Sequence, residues 1–383
     1  MEAYLDNAAT TRVLPEVAEI VRRAMLDDYG NPSSLHAKGA EAERLTREAR
    51  ETLAAILGCR PPEIIFTSGG TEANSLAIRG TAWTRHAEGR HIITSQVEHP
   101  SVLQTCRMLA EEGWEITYLR VDPQGAISLR ELERSLRPTT VLVSIQYVNN
   151  EVGAVQPVST IARLLPEQKR RPWLHVDAVQ ALGKLPVQVD ELGADLVSLS
   201  AHKLHGPKGV GVLYARQGLR LRPLLAGGEQ EFGLRAGTEN VPGIAGFGVA
   251  ARLAERARPL ATEQMRNLKV YLARRAVADI PGCHWNGPPP EQGAPHILNL
   301  CFPGIGGEVM VHFLEERGVY VSTTSACSSR HRTVSHVLLA MGLPEDEAAC
   351  SIRLSLSRFT TQEEVSYTLE QLHLASQQLQ RTR

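Results

Sequence analysis

The stretch Leu196-Val197-Ser198-Leu199-Ser200-Ala201-His202-Lys203, followed by Gly206-Pro207-Lys208-Gly209, decides how the rest of the chain is read. A short apolar run bounded by turn residues predicts a buried strand. Lys203 then stands just past a strand's carboxyl end, where α/β folds gather ligand chemistry. A lysine held there, beside glycines that let backbone approach closely, can be desolvated into a reactive amine able to condense with a carbonyl. On its own, a lysine next to His and Gly is more often an ordinary loop lysine, so the assignment depends on its surroundings.

Outward from this strand, apolar runs at 64–67, 91–94, 116–119, 141–145, 174–176, 196–199 and 210–215 predict strands, with helical patterns at 71–79, 101–112, 128–136 and 161–165. Strands separated by crossover helices imply a mainly parallel sheet covered on both faces. Upstream, Pro15 opens a helix, and a charged helix over 38–57 places Leu45, Ala49, Leu53 and Ile56 on one face. Downstream, a Gly- and Ala-rich helix at 243–250 and a separate charged helix at 262–278 precede strands at 296–302, 319–321 and 352–356 and helices at 308–317, 335–341 and 361–378. The expected organisation is a large α/β domain over 15–255 and a smaller α+β domain built from 1–14 with 256–383.

The chain has 383 residues, 43% of them hydrophobic, and a formal net charge of −1. Its basic residues are scattered among acidic ones, which gives no reason to expect direct nucleic-acid binding or an anionic membrane partner. No apolar run approaches the length that spans a bilayer. Six widely spaced cysteines without a Cys-x-x-Cys pair read as reduced thiols, and a cytoplasmic location is expected.

Two further groups surround Lys203 with chemistry. In Ser68-Gly69-Gly70-Thr71-Glu72, between a strand and a helix, glycines expose N–H groups at a helix start, where a phosphate monoester or simply a Thr cap would fit. In His175-Val176-Asp177-Ala178-Val179-Gln180 a strand ends on a carboxylate, which is costly to bury unless a cation meets it. An ordinary ion-paired aspartate would also satisfy that. Taken together, a carbonyl-reactive lysine, a phosphate cradle and an aspartate for a protonated pyridine nitrogen describe binding of pyridoxal 5'-phosphate.

At this point the chain resembles the cysteine desulfurases, pyridoxal phosphate enzymes of aminotransferase class V with fold type I. The likeness lies in Leu5-Asp6-Asn7-Ala8-Ala9-Thr10-Thr11, Gly30-Asn31-Pro32-Ser33-Ser34, Phe66-Thr67-Ser68-Gly69-Gly70-Thr71-Glu72, Glu98-His99, Asn149-Asn150-Glu151-Val152-Gly153, the Asp177 and Lys203 segments, Arg235-Ala236-Gly237-Thr238-Glu239-Asn240 and Ser325-Ala326-Cys327. It implies a mainly parallel seven-stranded sheet in the large domain. It also implies that Lys203 carries the cofactor, Asp177 pairs with its ring nitrogen, Gln180 bonds its phenolic oxygen and His99 stacks on the ring. Gly70, Thr71, Ser200 and His202 would hold the phosphate, and Thr238 would reach the phosphate of a neighbouring subunit, which implies a homodimer.

The same resemblance assigns Arg353 to the substrate carboxylate, where a guanidinium fork can make two parallel hydrogen bonds, with Asn31 and Asn150 nearby. Cys327 is the expected nucleophile, and Arg330, His331 and Arg332 favour its thiolate. The other five cysteines read as structural. The implied reaction takes sulfur from L-cysteine, gives L-alanine and leaves a persulfide on Cys327 for an acceptor protein of iron–sulfur assembly or tRNA or DNA thio-modification. Lys203 and His99 are the candidates for proton transfer. Around Cys327 the chain departs from the family's commonest pattern: Thr324 stands where glycine is frequent, and 329–334 lacks the usual Leu-Glu-Pro. A β-branched residue stiffens the backbone, which puts the usual mobility of this loop in question. The alternatives within the fold are a selenocysteine lyase and an aminotransferase, which would need a keto-acid acceptor and no Cys327. A metal or iron–sulfur scaffold using Cys327, His331, His336 and Cys350 is the alternative from another class, and it leaves Lys203, Asp177 and Thr71 unexplained.

Overall fold

The computed structural model describes residues 1–166, 171–323 and 334–380. From the amino terminus, strand β1 (Ala3–Tyr4) precedes helices α1 (Pro15–Leu26) and α2 (Ala37–Leu57). Pro15 occupies the first turn of α1, where its missing N–H costs nothing. His36 caps α2 by accepting the Gly39 N–H, and Gly58 ends that helix in the left-handed conformation at φ 70°.

The alternating region follows as β2 (Ile64–Thr67), α3 (Gly70–Arg85), β3 (His91–Ser95), α4 (Pro100–Glu111), β4 (Glu115–Leu119), α5 (Leu129–Ser135) and β5 (Thr140–Gln146). It continues through α6 (Val158–Leu164), β6 (Trp173–Asp177), α7 (Val189–Leu192), β7 (Leu196–Ser200) and β8 (Gly211–Ala215). These strands form one seven-stranded sheet in the order β2-β8-β7-β6-β5-β3-β4. The pairs from β4 through β7 are parallel, and β8 runs antiparallel to both β7 and β2. Strands β2, β3, β5, β7 and β8 are buried along their whole length, as expected of a sheet covered on both faces.

Helix α8 (Val241–Asp279) is a single helix of 39 residues with Pro259 inside it, where the sequence pattern predicts two separate helices. Pro259 is exposed, so the carbonyl it leaves without an intrahelical donor can meet water. The first half of α8 packs closely on the early helices: a Cβ at Gly248 would lie 2.8 Å from Ala49 Cα. The second half, from Ala261 to Ala276, belongs to a different apolar cluster that includes Leu5, Leu300, Leu354 and Leu372. The expected boundary at 255/256 therefore falls within a continuous helix.

Beyond α8 lie β9 (His284–Asn286), β10 (Ile297–Cys301), α9 (Gly307–Glu315), β11 (Val319–Tyr320) and β12 (Ser322–Thr323). The chain then reaches α10 (His336–Ala340), α11 (Glu345–Ala349), β13 (Ser351–Ser355) and α12 (Gln362–Gln380). An antiparallel sheet of order β12-β13-β10-β9 forms here, and β1 returns to pair in parallel with β11. No helix among the described residues is long and apolar enough to cross a membrane.

Candidate active site

The carboxyl ends of β6 and β7 deliver the first groups: Asp177 closes β6, Ser200 closes β7, and the short 3₁₀ turn Ala201–Lys203 presents the lysine. Lys203 Nζ donates to the carbonyls of Ala8 at 2.6 Å and Ala9 at 2.7 Å, so the amino-terminal segment tethers the amine. Gln180 Nε2 donates to the same Ala8 carbonyl at 2.9 Å. Lys184, buried, donates to the Lys203 carbonyl at 2.6 Å, and burial with the charge of Lys203 pushes its pKa down to about 7.

Asp177 is 6% exposed, and each of its carboxylate oxygens accepts a hydrogen bond. Its Oδ1 accepts the Val179 N–H at 3.0 Å and its Oδ2 accepts Asn74 Nδ2 at 2.7 Å. Asn74 Nδ2 also donates to Ser101 Oγ at 2.9 Å, and that hydroxyl lies 2.8 Å from His99 Nδ1. His99 caps α4, its Nδ1 accepting the Ser101 N–H at 3.1 Å. Burial is the main cause that lowers the His99 pKa, with Lys203 and His336 adding to it and Asp177 opposing it.

At the start of α3 the preceding Gly69 offers no side-chain cap, so the first-turn N–H groups at Gly70 and Thr71 face outward from a positive helix end. A Cβ at Gly70 would lie 2.8 Å from Val179 Cγ2 and 3.7 Å from Ser200 Cβ, which brings this turn against the ends of β6 and β7. His202 Nδ1 lies 3.2 Å from Thr10 Oγ1, and burial together with Lys203, Lys208 and Lys184 pushes its pKa down to about 4. Among the described residues Asn74 Oδ1 is buried with no partner. A tethered amine, a buried carboxylate and an open helix start fit the chemistry of pyridoxal phosphate.

A second group stands across the site. Arg353 on β13 is 5% exposed; its Nη1 donates to the Asn150 carbonyl at 3.0 Å and its Nη2 to Asp6 Oδ1 at 2.9 Å. Its Nε is buried without a partner among the described residues. Beside it, Glu151 accepts the Ser335 hydroxyl, and burial pushes the carboxyl up to about 7 against the pull of that bond and of Arg353. Glu98 accepts the Gln146 N–H and the Ser95 hydroxyl, yet burial still pushes it up to about 8. His336 Nε2 donates to the Glu98 carbonyl at 3.1 Å.

Lys203, Asp177, Gln180, His99, Gly70, Ser200 and His202 thus share one neighbourhood, and Arg353 and Asn150 meet each other. Thr71 sits exposed in the first turn of α3. Asn31 is exposed and closes a local turn, its Oδ1 accepting the Ser33 N–H at 2.9 Å, and Thr238 is exposed before α8. Neither makes a side-chain bond to the groups above among the described residues. Cys327 and Thr324 lie outside the described residues, as do Arg330, His331 and Arg332. The segment's flanks are described: Ser322 pairs with Arg353 across β12 and β13, and Ser335 and His336 bond Glu151 and Glu98.

Cys59, Cys106, Cys283, Cys301 and Cys350 carry free thiols, and burial pushes Cys59, Cys106 and Cys283 up to about 12 and Cys301 to about 11. Such thiols stay protonated and unreactive. Among the described residues no three His, Cys, Asp or Glu side chains are placed to hold a metal ion. Sequence reasoning missed Asp6, Asn74, Ser101 and Lys184. Asp6 lies within the motif at 5–11 and Ser101 stands two residues after His99, but Arg353 is far along the chain from Asp6, Asp177 from Asn74 and Lys203 from Lys184, which leaves no local pattern for those pairs.

The chain matches the aminotransferase class-V family model over residues 3–368. A cysteine desulfurase IscS of Dictyoglomus turgidum is 45% identical, over 97% of this chain and 93% of that protein. The solved structure of a NifS-like protein superposes with a TM-score of 0.92 at 41% identity, covering 98% of this chain and 99% of that one. A structure described as SspA in complex with cysteine matches with a TM-score of 0.82 at 37% identity, covering 94% and 100%. With such agreement along nearly the whole length, on a fold whose strand ends carry Asp177 and Lys203, the chain belongs to the class-V aminotransferase family and, within it, to the cysteine desulfurases.

Proposed function

We propose that this chain takes the sulfur of L-cysteine, releases L-alanine and holds the sulfur as a persulfide on Cys327 for transfer to an acceptor protein. The observation that carries this is the meeting of Lys203, Asp177 and the open start of α3 at the carboxyl ends of β6 and β7, with Arg353 buried across the site. The relatives named above, one of them solved with cysteine, support the choice of substrate.

Pyridoxal phosphate, bound at Lys203, supplies an electron-poor ring that takes up electron pairs released at the substrate's α-carbon. Asp177 meets the ring nitrogen with negative charge, Gln180 bonds the phenolic oxygen, and His99 covers the ring face. Gly70, Thr71, Ser200 and His202 hold the phosphate; the chain works as a homodimer in the cytoplasm, with Thr238 reaching the phosphate in a second copy. Arg353, with Asn150 and Asn31, orients the substrate carboxylate.

Lys203 Nζ would be the base placed to take the proton from the substrate's α-carbon. The Cys327 thiolate then attacks the substrate sulfur: a sulfur–sulfur bond forms, the carbon–sulfur bond breaks, and its electron pair stays with the carbon. Protonation of that carbon completes the methyl group of alanine. The neighbouring Arg330, His331 and Arg332 favour the thiolate. The division into 15–255 and 1–14 with 256–383 belongs to this reading, supported by separate apolar clusters on the two halves of α8.

The test measures alanine release and sulfur label on the protein, for the parent and Cys327→Ser, with cysteine as substrate. The variant is expected to bind cysteine, take no label and release little alanine. Alanine release at the parent rate would remove Cys327 from the role of nucleophile.

A further inference from the structure

His99 is held by donors on one side. A backbone N–H only donates, so where His99 Nδ1 accepts the Ser101 N–H at 3.1 Å it presents a lone pair. The neutral ring must then carry its proton on Nε2. The Ser101 hydroxyl, 2.8 Å from the same nitrogen, is oriented from behind: Asn74 Nδ2 donates to Ser101 Oγ at 2.9 Å and to Asp177 Oδ2 at 2.7 Å, using both amide hydrogens. Ser101 Oγ therefore receives from Asn74 and gives to His99. Asn74 and Ser101 are 1% and 9% exposed, so little water competes for these bonds.

Two consequences follow from the direction of this chain. A proton placed on Nδ1 would set an N–H against the Ser101 backbone N–H and force the Ser101 hydroxyl to turn its own hydrogen away, so the ring resists becoming an imidazolium. A proton given up from Nε2 could be replaced through Nδ1 only along a path that ends at an amide, and an amide does not relay protons at ordinary pH. The groups facing the ring from other elements are Asp177 at the end of β6, Lys203 after β7 and His336 on α10. Together with burial, Lys203 and His336 push against the charged ring, and Asp177 favours it.

We propose that His99 works as a neutral Nε2–H donor and a flat cover for the ring rather than as a proton carrier, with Ser101 and Asn74 as the positioning residues that keep it so. This rests on the reading of the site given under the proposed function, and it leaves proton transfer at the substrate's α-carbon to Lys203.

The test reads the imidazole nitrogens directly, by long-range nitrogen–proton correlation on histidine-labelled protein with and without pyridoxal phosphate, the His99 signals identified by their loss in His99→Gln. In the parent, His99 is expected as the Nε2–H form, without titration from about pH 5.5 to pH 9. In Ser101→Ala and Asn74→Ala its titration should move toward the ordinary histidine range and add an acid-side ionisation to the kcat/KM profile, and Ser101→Thr should restore the parent behaviour. An Nδ1–H form in the parent, a parent titration near the ordinary histidine value, or alanine variants with unchanged His99 signals would overturn the proposal. The signals are read in cofactor-free protein too, so a failure of cysteine desulfuration with His99 locked as described counts against the functional reading alone.

Discussion

Arg353 and Asp6 form an ion pair 2.9 Å long between β13 and the segment after β1, with the arginine side chain 6% and the aspartate 20% exposed. The guanidinium proposed for the substrate carboxylate is thus already met by a carboxylate on one side and by the Asn150 carbonyl on another. An incoming carboxylate competes with Asp6 for the same fork. Asp6→Asn is expected to lower KM for cysteine a few-fold by removing that competition. Arg353→Lys, which loses the fork, should reduce kcat/KM by about a hundredfold, mostly through KM. Steady-state alanine release over a range of cysteine concentrations checks both.

Lys203→Ala should bind pyridoxal phosphate without the visible band that borohydride bleaches, and its turnover should fall by about a thousandfold or more. Absorbance before and after reduction, read beside alanine release, decides this.

A Cβ at Gly211 would lie 2.5 Å from the Gly69 carbonyl carbon and 2.8 Å from the Leu199 carbonyl oxygen, and backbone atoms cannot swing aside. Gly211→Ala is therefore expected to cost about 1–3 kcal/mol of stability and to displace the turn that starts α3. Denaturant midpoints report the first effect. Fluorescence titration with pyridoxal phosphate should show weaker binding from the second.

Burial raises the carboxyls of Glu98 to about 8 and Glu151 to about 7. A carboxyl whose pKa is higher folded than unfolded favours the protonated form in the native state. Its contribution is complete below the ordinary glutamate range and is lost as pH rises through the folded value. The parent should therefore lose more stability than Glu98→Gln or Glu151→Gln between about pH 5 and pH 9, read as the shift in urea midpoint.

The alternation of strands and helices was legible because β3, β5 and β7 are short apolar runs and the intervening helices carry their own spacing. Lys203 and Asp177 were legible because each ends such a run. The reversed direction of β8 was not, since burial on both faces gives the same apolar pattern in either direction. The continuity of α8 was hidden by Pro259, normally a helix stop, which is tolerated here at an exposed position between two packed halves. Strands β1 and β12, two residues each, are too short to show a period. Asp6 and Arg353 are 347 positions apart, and Asn74 and Asp177 are 103 apart. Such pairs exist only once the chain has folded back on itself.

The amino-terminal segment that tethers Lys203 gives the protein a timetable. Residues 3 to 8 are made before the strands of the large sheet, yet β1 pairs with β11 and residues 5 to 8 bond Ser355, which are made after them. A growing chain can lay down the sheet that bears Asp177 and Lys203 long before this clasp can close. The amine of Lys203 gains its Ala8 and Ala9 tethers in their final setting only after Ser355 has been made, so a product terminated before that residue is left with an incomplete site.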